Sequence, residues 1–382
     1  MYSISGYGSM IADKGRMDAY VKALRQTVKP DSIVVDIGTG TGIFALLACQ
    51  FGARKVYAIE PSDAIQVAKE IARKNGNGDR IIFIQDVSNN VKIPELADVI
   101  VSDIRGMLPL FGQHIPTIID ARKRLLTEDG ILIPQRDILW AAVVEVPHLY
   151  DRIVNVWEHN ICGLNMTAAR QIVVNNWGKG WIAPAQLLTM PQYWAILDYP
   201  TIENPDVRAE LSWTVARSGT GYGVSIWFDA ILAEGSGFST APGMPELVYG
   251  NGFLPWLKPV FLAVGDKISV NLQANLVGND YIWQWNTCIL HQGDLSQVKA
   301  NFQQSTFFAT PLSPVKLRKS SSAYLPSLNE DGQIDRLILE LMSNGIMLGD
   351  IATQIQEKFP TCFPNWQDAL TRVGNLAQKY SK

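Results

Sequence analysis

The chain has 382 residues, 47% hydrophobic and 18% charged, a composition that supports sizeable cores and is far from that of a disordered chain. At roughly 100 to 200 residues per domain, the length implies two or three domains. Thirty-three Lys and Arg against 36 Asp and Glu leave a net charge of −3, so no bulk positive charge points to nucleic acid or an anionic membrane, and neither is expected as a partner. Met1 to Lys14 show no basic leader ahead of an apolar core, and the longest apolar runs, such as Ile138 to Val144, fall far short of about 20 residues. A cytoplasmic protein that does not span a membrane is therefore expected. Cys49, Cys162, Cys288 and Cys362 form no CxxC pair and none lies near a His at ligand spacing, so reduced thiols and no metal site are expected.

In chain order, residues 17 to 134 alternate strand and helix signals, the pattern of a parallel sheet covered by helices. Ser32 to Asp36, Lys55 to Glu60, Ile81 to Gln85 and Asp98 to Asp103 read as strands. Gly42 to Phe51, Ser62 to Asn75 and Gln113 to Leu126 read as helices, with Ser62 a candidate N-cap. From about Pro134 the texture changes to short apolar or alternating runs broken by Gly, Pro and Asn: Ile138 to Val146, Ala209 to Ala216, Tyr222 to Leu232, Lys258 to Val264, Lys267 to Asn275 and Tyr281 to Leu290. These predict a β domain, sandwich or barrel, with a helical excursion over Trp157 to Asn176. Ser313 to Gly332, with Ser320 to Ser322 and two prolines, reads as a linker. Gln333 to Met342, Leu348 to Phe359 and Asn365 to Tyr380 read as three helices. The expected layout is an α/β Rossmann-like domain over 1–134, a β-barrel domain with a helical arm over 135–312, a linker over 313–332 and a small helical domain over 333–382.

Val34, Val35 and Asp36 lead into Gly38, Gly40 and Gly42, with a helix after them. Glycines at such a turn permit φ > 0 and let a ligand lie against bare backbone at a helix N-terminus. A dinucleotide fingerprint from Gly38 needs glycine or alanine at position 43, which is Ile43; an acid two residues before GxGxG instead fits S-adenosylmethionine. Glu60, closing the second strand, is placed to accept both ribose hydroxyls, a role that fits NAD or S-adenosylmethionine alike. Asp86 and Ser88, just past the third strand, lie where an adenine amino group would sit, and loop capping explains them equally well.

The stretch VVDIGTGTGIFALLACQFGARKVYAIEPS resembles the cofactor motif of the protein arginine methyltransferase family. Met10, Asp13, Arg16 and Tyr20 match that family's N-terminal helix, in which the arginine grips the cofactor carboxylate and the tyrosine lines the active site. GVSIWFDAIL at Gly223 to Leu232 and FSTAP at Phe238 to Pro242 are similar to its barrel-domain motifs, so the resemblance covers roughly residues 7 to 310. It implies a class I fold, S-adenosyl-L-methionine as cofactor, Arg16 on the cofactor, and Asp103 and Tyr20 at the catalytic centre. Read by spacing alone, Asp13, Arg16 and Tyr20 fall at i, i+3 and i+7 on one helix face, where an Asp–Arg pair is also an ordinary surface feature.

The sequence departs from the family at the acceptor site. Two glutamates after the fourth strand clamp the substrate guanidinium in the family; in SDIRGMLPLFGQH the first position is Asp103 and the second is Gly112. The family's Thr-His-Trp motif falls on Leu247, Val248 and Tyr249, so its His is missing. Arg105, two residues past Asp103, adds a cation that faces the same cavity or pairs with Asp103. A methyltransferase acting on a peptide, protein or small molecule other than a protein arginine is therefore expected, with Asp103 as orienter or general base. Its rivals are an arginine methyltransferase that recruits a second acid, and a non-catalytic binding protein on the same scaffold. The arm between Trp157 and Leu188, with Trp177, Trp181, Leu187 and Leu188, predicts a two-fold homodimer. The C-terminal segment weakly resembles PqqD-like modules that recognise peptides.

Overall fold

The computed structural model describes residues 3–159, 161–293 and 296–381. They fall into two compact units divided between Pro311 and Leu312. The first opens with helices α1 (Ile4–Ala12) and α2 (Lys14–Thr27), joined at Asp13, which ends one and caps the next by accepting from the Arg16 N–H. Helix α2 buries Arg16, Ala19, Tyr20, Ala23, Leu24 and Thr27, a stripe at i, i+3, i+4, i+7, i+8 and i+11 that faces the core.

There follow β1 (Ile33–Ile37), α3 (Ile43–Gln50), β2 (Lys55–Ile59), α4 (Ala64–Lys74), β3 (Ile81–Ile84), β4 (Ala97–Ser102), α5 (His114–Leu125) and β5 (Leu126–Ile133). The five strands pair in parallel in the order β3-β2-β1-β4-β5. Every residue of β1 is buried, as expected of a central strand covered on both faces. The order reverses between β1 and β4, so the crevice at their carboxyl ends is the switch point where open α/β sheets bind ligands. Asp36 lies near the end of β1, the glycines follow that strand, and Asp103 follows β4.

The sequence places Ser62 at the N-cap of α4, but the helix begins after Asp63, and the Ser62 hydroxyl accepts from the Ala64 N–H at 3.3 Å within the preceding turn. Strand β5 carries no clear signal in the sequence because it is an edge strand whose Glu128 and Asp129 are exposed, which hides the apolar signature.

The β part of this unit contains β6 (Arg136–Val144), α6 (Pro147–Ile153), α7 (Arg170–Val173), β7 (Gly178–Gly180), β8 (Gln192–Asp198), β9 (Val207–Thr214), β10 (Gly219–Ala233), β11 (Ser236–Ser239), β12 (Asn251–Leu262), β13 (Lys267–Val277), β14 (Asp280–Leu290) and β15 (Val298–Phe302). One sheet runs β7-β12-β10-β6-β8 with β11 against β10; the other runs β15-β14-β13-β9. Among the described residues no strand ladder joins the two, so the expected barrel takes the form of two antiparallel sheets. Nor is Trp157 to Asn176 a continuous helix: Cys162 (φ 56°) and Gly163 (φ 77°) take left-handed conformations, leaving 3₁₀ turns and the four-residue α7.

One hydrophobic core runs through both parts, from Val34, Tyr57 and Ile100 to Leu139, Phe228 and Trp285. The change from the α/β part to the β part near residue 134 falls within the compact unit Met1–Pro311. The second unit contains α8 (Pro314–Lys319), α9 (Glu330–Ser343), α10 (Leu348–Lys358) and α11 (Trp366–Tyr380). It buries its own core of Ile334, Ile338, Ile351, Ile355, Val373 and Leu376, and Asn329 and Asn365 cap α9 and α11. Helix α8 lies within the expected linker.

Candidate active site

The turn after β1 is closed by its own backbone. The Gly38 and Thr39 N–H groups donate to Ile59 O at 2.9 and 3.1 Å, tying the turn to the end of β2. Gly38 and Gly40 have φ of 73° and 54°, and a Cβ on either would meet the Ile104 or Tyr7 side chain at 2.4 Å. Only glycine fits these two positions. Gly42, also left-handed, is the N-cap of α3.

Asp36 lies beneath this turn and is wholly buried. Its Oδ2 accepts from the Thr39 hydroxyl at 2.5 Å and the Ala45 N–H at 3.0 Å, so it staples the turn to α3. Burial pushes its carboxyl up to about 7, against the pull of those two hydrogen bonds. Glu60 braces the turn from the other side: Oε2 accepts from Gly40 N–H at 3.1 Å and Oε1 from Ser62 N–H at 3.0 Å. Each oxygen retains a lone pair for a hydroxyl donor.

Glu60, Gly38 and Thr39 line a cavity of about 570 Å³, together with Arg16, Phe44, Asp103 and Phe111. Of the residues assigned to the cofactor from sequence, Arg16, Gly38 and Glu60 meet here. Asp36, Gly40 and Gly42 shape the turn from behind and do not line the cavity. Asp86 is half-buried and accepts from Val87 N–H and Asn90 Nδ2; Ser88 is buried in a 3₁₀ turn. Neither lines the cavity.

At the opposite wall Arg16 donates from Nε to Asp103 Oδ2 at 2.7 Å, with Nη2 on the same oxygen at 2.6 Å. Its Nη1 donates to Met10 O at 3.2 Å, and its guanidinium lies over the Tyr20 and Phe44 rings. Tyr249 donates its hydroxyl to Asp103 Oδ2 at 2.6 Å and stacks on Phe238 with ring centroids 5.4 Å apart. Arg105, wholly buried, donates from Nε to Asp103 Oδ1 at 3.1 Å, from Nη1 to Asp137 Oδ1 at 2.7 Å and from Nη2 to the Tyr20 hydroxyl at 2.6 Å. Burial acts to raise the Asp103 pKa, but the charges of Arg16 and Arg105 prevail and hold it below its ordinary value. Asp103 is a fixed carboxylate.

Tyr20 does not line the cavity. It is wholly buried behind Asp103, donating to Ser102 O at 3.2 Å, and burial pushes its phenol well up. Beyond it, Tyr199 donates to Asp137 Oδ2 at 2.5 Å. With that hydrogen spent, His114 Nε2, 3.0 Å from the Tyr199 oxygen, is the donor, which leaves His114 Nδ1 buried without a partner among the described residues. Burial, then the charge of Arg105, lowers the imidazole to about 3 and keeps it neutral. Burial raises Asp137 to about 6 despite Arg105.

The sequence reading missed Asp137, Tyr199 and the part played by Tyr249. An acid at the head of the apolar strand DILWAAVV was the available signal for Asp137, since a buried charge demands a partner. In sequence Tyr249 is only the last position of the altered Thr-His-Trp motif. Gly112, at the second clamp position, has φ 47° and donates its N–H towards Asp280 Oδ1 at 3.4 Å.

The chain is similar to known methyltransferases in sequence and in fold. The family described as "Ribosomal protein L11 methyltransferase (PrmA)" matches residues 18–145. The chain is 31% identical over 242 residues to "Probable protein arginine N-methyltransferase 6" of Arabidopsis thaliana, covering 61% of this chain and 55% of the relative. It is 30% identical over 286 residues to "Protein arginine N-methyltransferase 2" of Homo sapiens, covering 70% and 66%. The chain thus spans between about half and two thirds of the length of these curated relatives. Among solved structures, Arabidopsis thaliana protein arginine methyltransferase 10 superposes with a TM-score of 0.71 at 22% identity, covering 79% of this chain and 97% of that one. The Trypanosoma brucei PRMT1 enzyme-prozyme heterotetrameric complex with AdoHcy also gives 0.71, at 21% identity and 78% and 96% coverage.

Proposed function

We propose that the chain, a relative of the protein arginine methyltransferases in sequence and in fold, is an S-adenosyl-L-methionine-dependent methyltransferase. The observation that carries this is one cavity at the sheet's switch point bounded by a glycine turn, an acid at the end of β2 and a buried arginine. Its volume of about 570 Å³ is within the range of small-molecule sites. Gly38 would let the cofactor lie against backbone, Glu60 would accept from its ribose hydroxyls, and Arg16 would hold its carboxylate. When bound, that cofactor supplies an electrophilic methyl group open to in-line displacement. The chain's own task is to orient the acceptor and exclude water, which the fixed carboxylate of Asp103 serves from the cavity wall, braced by the hydroxyl of Tyr249.

Within that reaction the acceptor we propose is a neutral or anionic group other than a protein arginine. Gly112 offers no second acid, and losing one of two carboxylates that hold a buried guanidinium costs several kcal/mol. The relatives' names favour the alternative, an arginine acceptor held by a rearranged clamp. Incubation with methyl-labelled cofactor decides between them: glycine-arginine-rich peptides should label poorly, and a species from the source lysate should label well. Efficient labelling of the arginine peptides by the wild type overturns the acceptor reading.

We also propose a homodimer in the cytoplasm. Leu164, Met166 and Trp181 of the arm are exposed, whereas Leu188 is buried in the unit's own core and Trp177 packs on Trp283. The four free cysteines fit a reducing compartment. No helix among the described residues is long and apolar enough to cross a membrane.

A further inference from the structure

Asp103 lines the cavity, yet neither of its oxygens faces it unengaged. Oδ2 takes Arg16 Nε, Arg16 Nη2 and the Tyr249 hydroxyl, and Oδ1 takes Arg105 Nε. Arg105 in turn closes a balanced set: two buried carboxylates, Asp103 and Asp137, against two buried guanidiniums, Arg16 and Arg105. Arg105 is wholly enclosed, with the Phe228 and Phe238 rings 5.6 Å from its guanidinium carbon, so it cannot swing into solvent to make room. A third cation brought to Asp103 would have to displace one of these donors or add an uncompensated buried charge, and both are strongly unfavourable in a low-dielectric site.

We propose that Arg105 is a specificity-determining residue: its guanidinium engages Asp103 Oδ1 and balances the charge of Asp103 from inside the protein, and so closes the acceptor site to cations, ammonium and guanidinium alike. This rests on the methyltransferase reading above. A neutral acceptor adds no charge to the set. The role belongs to Arg105 because Arg16 is at the cavity wall, where a cofactor carboxylate can engage it, whereas Arg105 does not line the cavity and donates its hydrogen bonds to Asp103, Asp137 and Tyr20.

The test uses the full chain saturated with S-adenosylhomocysteine, whose own titration is run first; failure at that step defeats the methyltransferase reading and is seen separately. Two short peptides differing only in arginine or its neutral isostere citrulline are then titrated by calorimetry. The wild type should show no preference for the arginine peptide, and the charge-balanced double variant Arg105→Gln/Asp137→Asn should bind that peptide at least about tenfold more tightly than the wild type does. A wild type that prefers arginine over citrulline by tenfold or more overturns the proposal, as does a folded double variant with no gain. Thermal melting reports whether the double variant folds; where it does not, the arginine-to-citrulline ratio of the wild type decides alone.

Discussion

Tyr249 and Asp103, 146 residues apart in the chain, meet through a 2.6 Å hydrogen bond from the phenol to Oδ2. The same phenol oxygen accepts from Arg16 Nε at 3.1 Å, so one hydroxyl sets the spacing of the acid and the arginine at the cavity wall. Tyr249 is almost fully buried, and burial, with the charge of Asp103 beside it, raises its phenol well above the ordinary range; it acts as a neutral donor.

Tyr249→Phe removes that donor while keeping the stacked ring. Loss of a hydrogen bond to a charged group costs about 1.5 to 3 kcal/mol, so single-turnover transfer should slow by roughly tenfold or more. Cofactor affinity should change less, because Arg16 keeps its direct contact with Asp103. Equal loss in both measurements would show that Tyr249 serves only to hold Arg16.

These contacts also show what the sequence could and could not reveal. The parallel sheet was legible because β1 and β4 are buried apolar runs, and the glycine turn because its φ angles exclude other residues. Glu60 was legible from its spacing after the glycine turn, whereas Arg16 was legible only through the resemblance of its helix to that of the arginine methyltransferases. The set around Arg105 was not, since Asp137, Tyr199 and Tyr249 come from the β part and reach the site only through long-range packing. The contact between Arg16 and Asp103, which lie 87 residues apart, was hidden for the same reason.

Asp36 gives a pH signature of its own. Its folded-state pKa of about 7 exceeds the ordinary value of about 3.9, so between those values the native state binds more protons than the unfolded chain. Stability from this group therefore falls as pH rises through that window and levels off above it. Asp36→Asn keeps an acceptor for Thr39 and Ala45 and cannot titrate. In urea melts its stability relative to the wild type should improve from pH 5 to pH 8, by an amount on the order of a few kcal/mol at most. A difference that does not vary with pH would contradict an elevated pKa.

The exposed arm predicts self-association. Light scattering at micromolar concentration should give twice the monomer mass, and Trp181→Glu, which places a charge on a side chain 49% exposed, should return the monomer without lowering the melting temperature. A wild-type monomer would leave the arm as cover for its own sheet.

The central claim is that the cavity beside Gly38 is a cofactor site for S-adenosyl-L-methionine. Calorimetric titration of S-adenosylhomocysteine into the full chain tests it most directly. Saturable binding at one site per chain is the expected result, weakened roughly tenfold to a hundredfold by Glu60→Ala and by Arg16→Ala, each of which deletes a charge-assisted contact worth about 1.5 to 3 kcal/mol. Absence of binding, equal binding of NAD, or affinity unaltered in both variants would contradict the account.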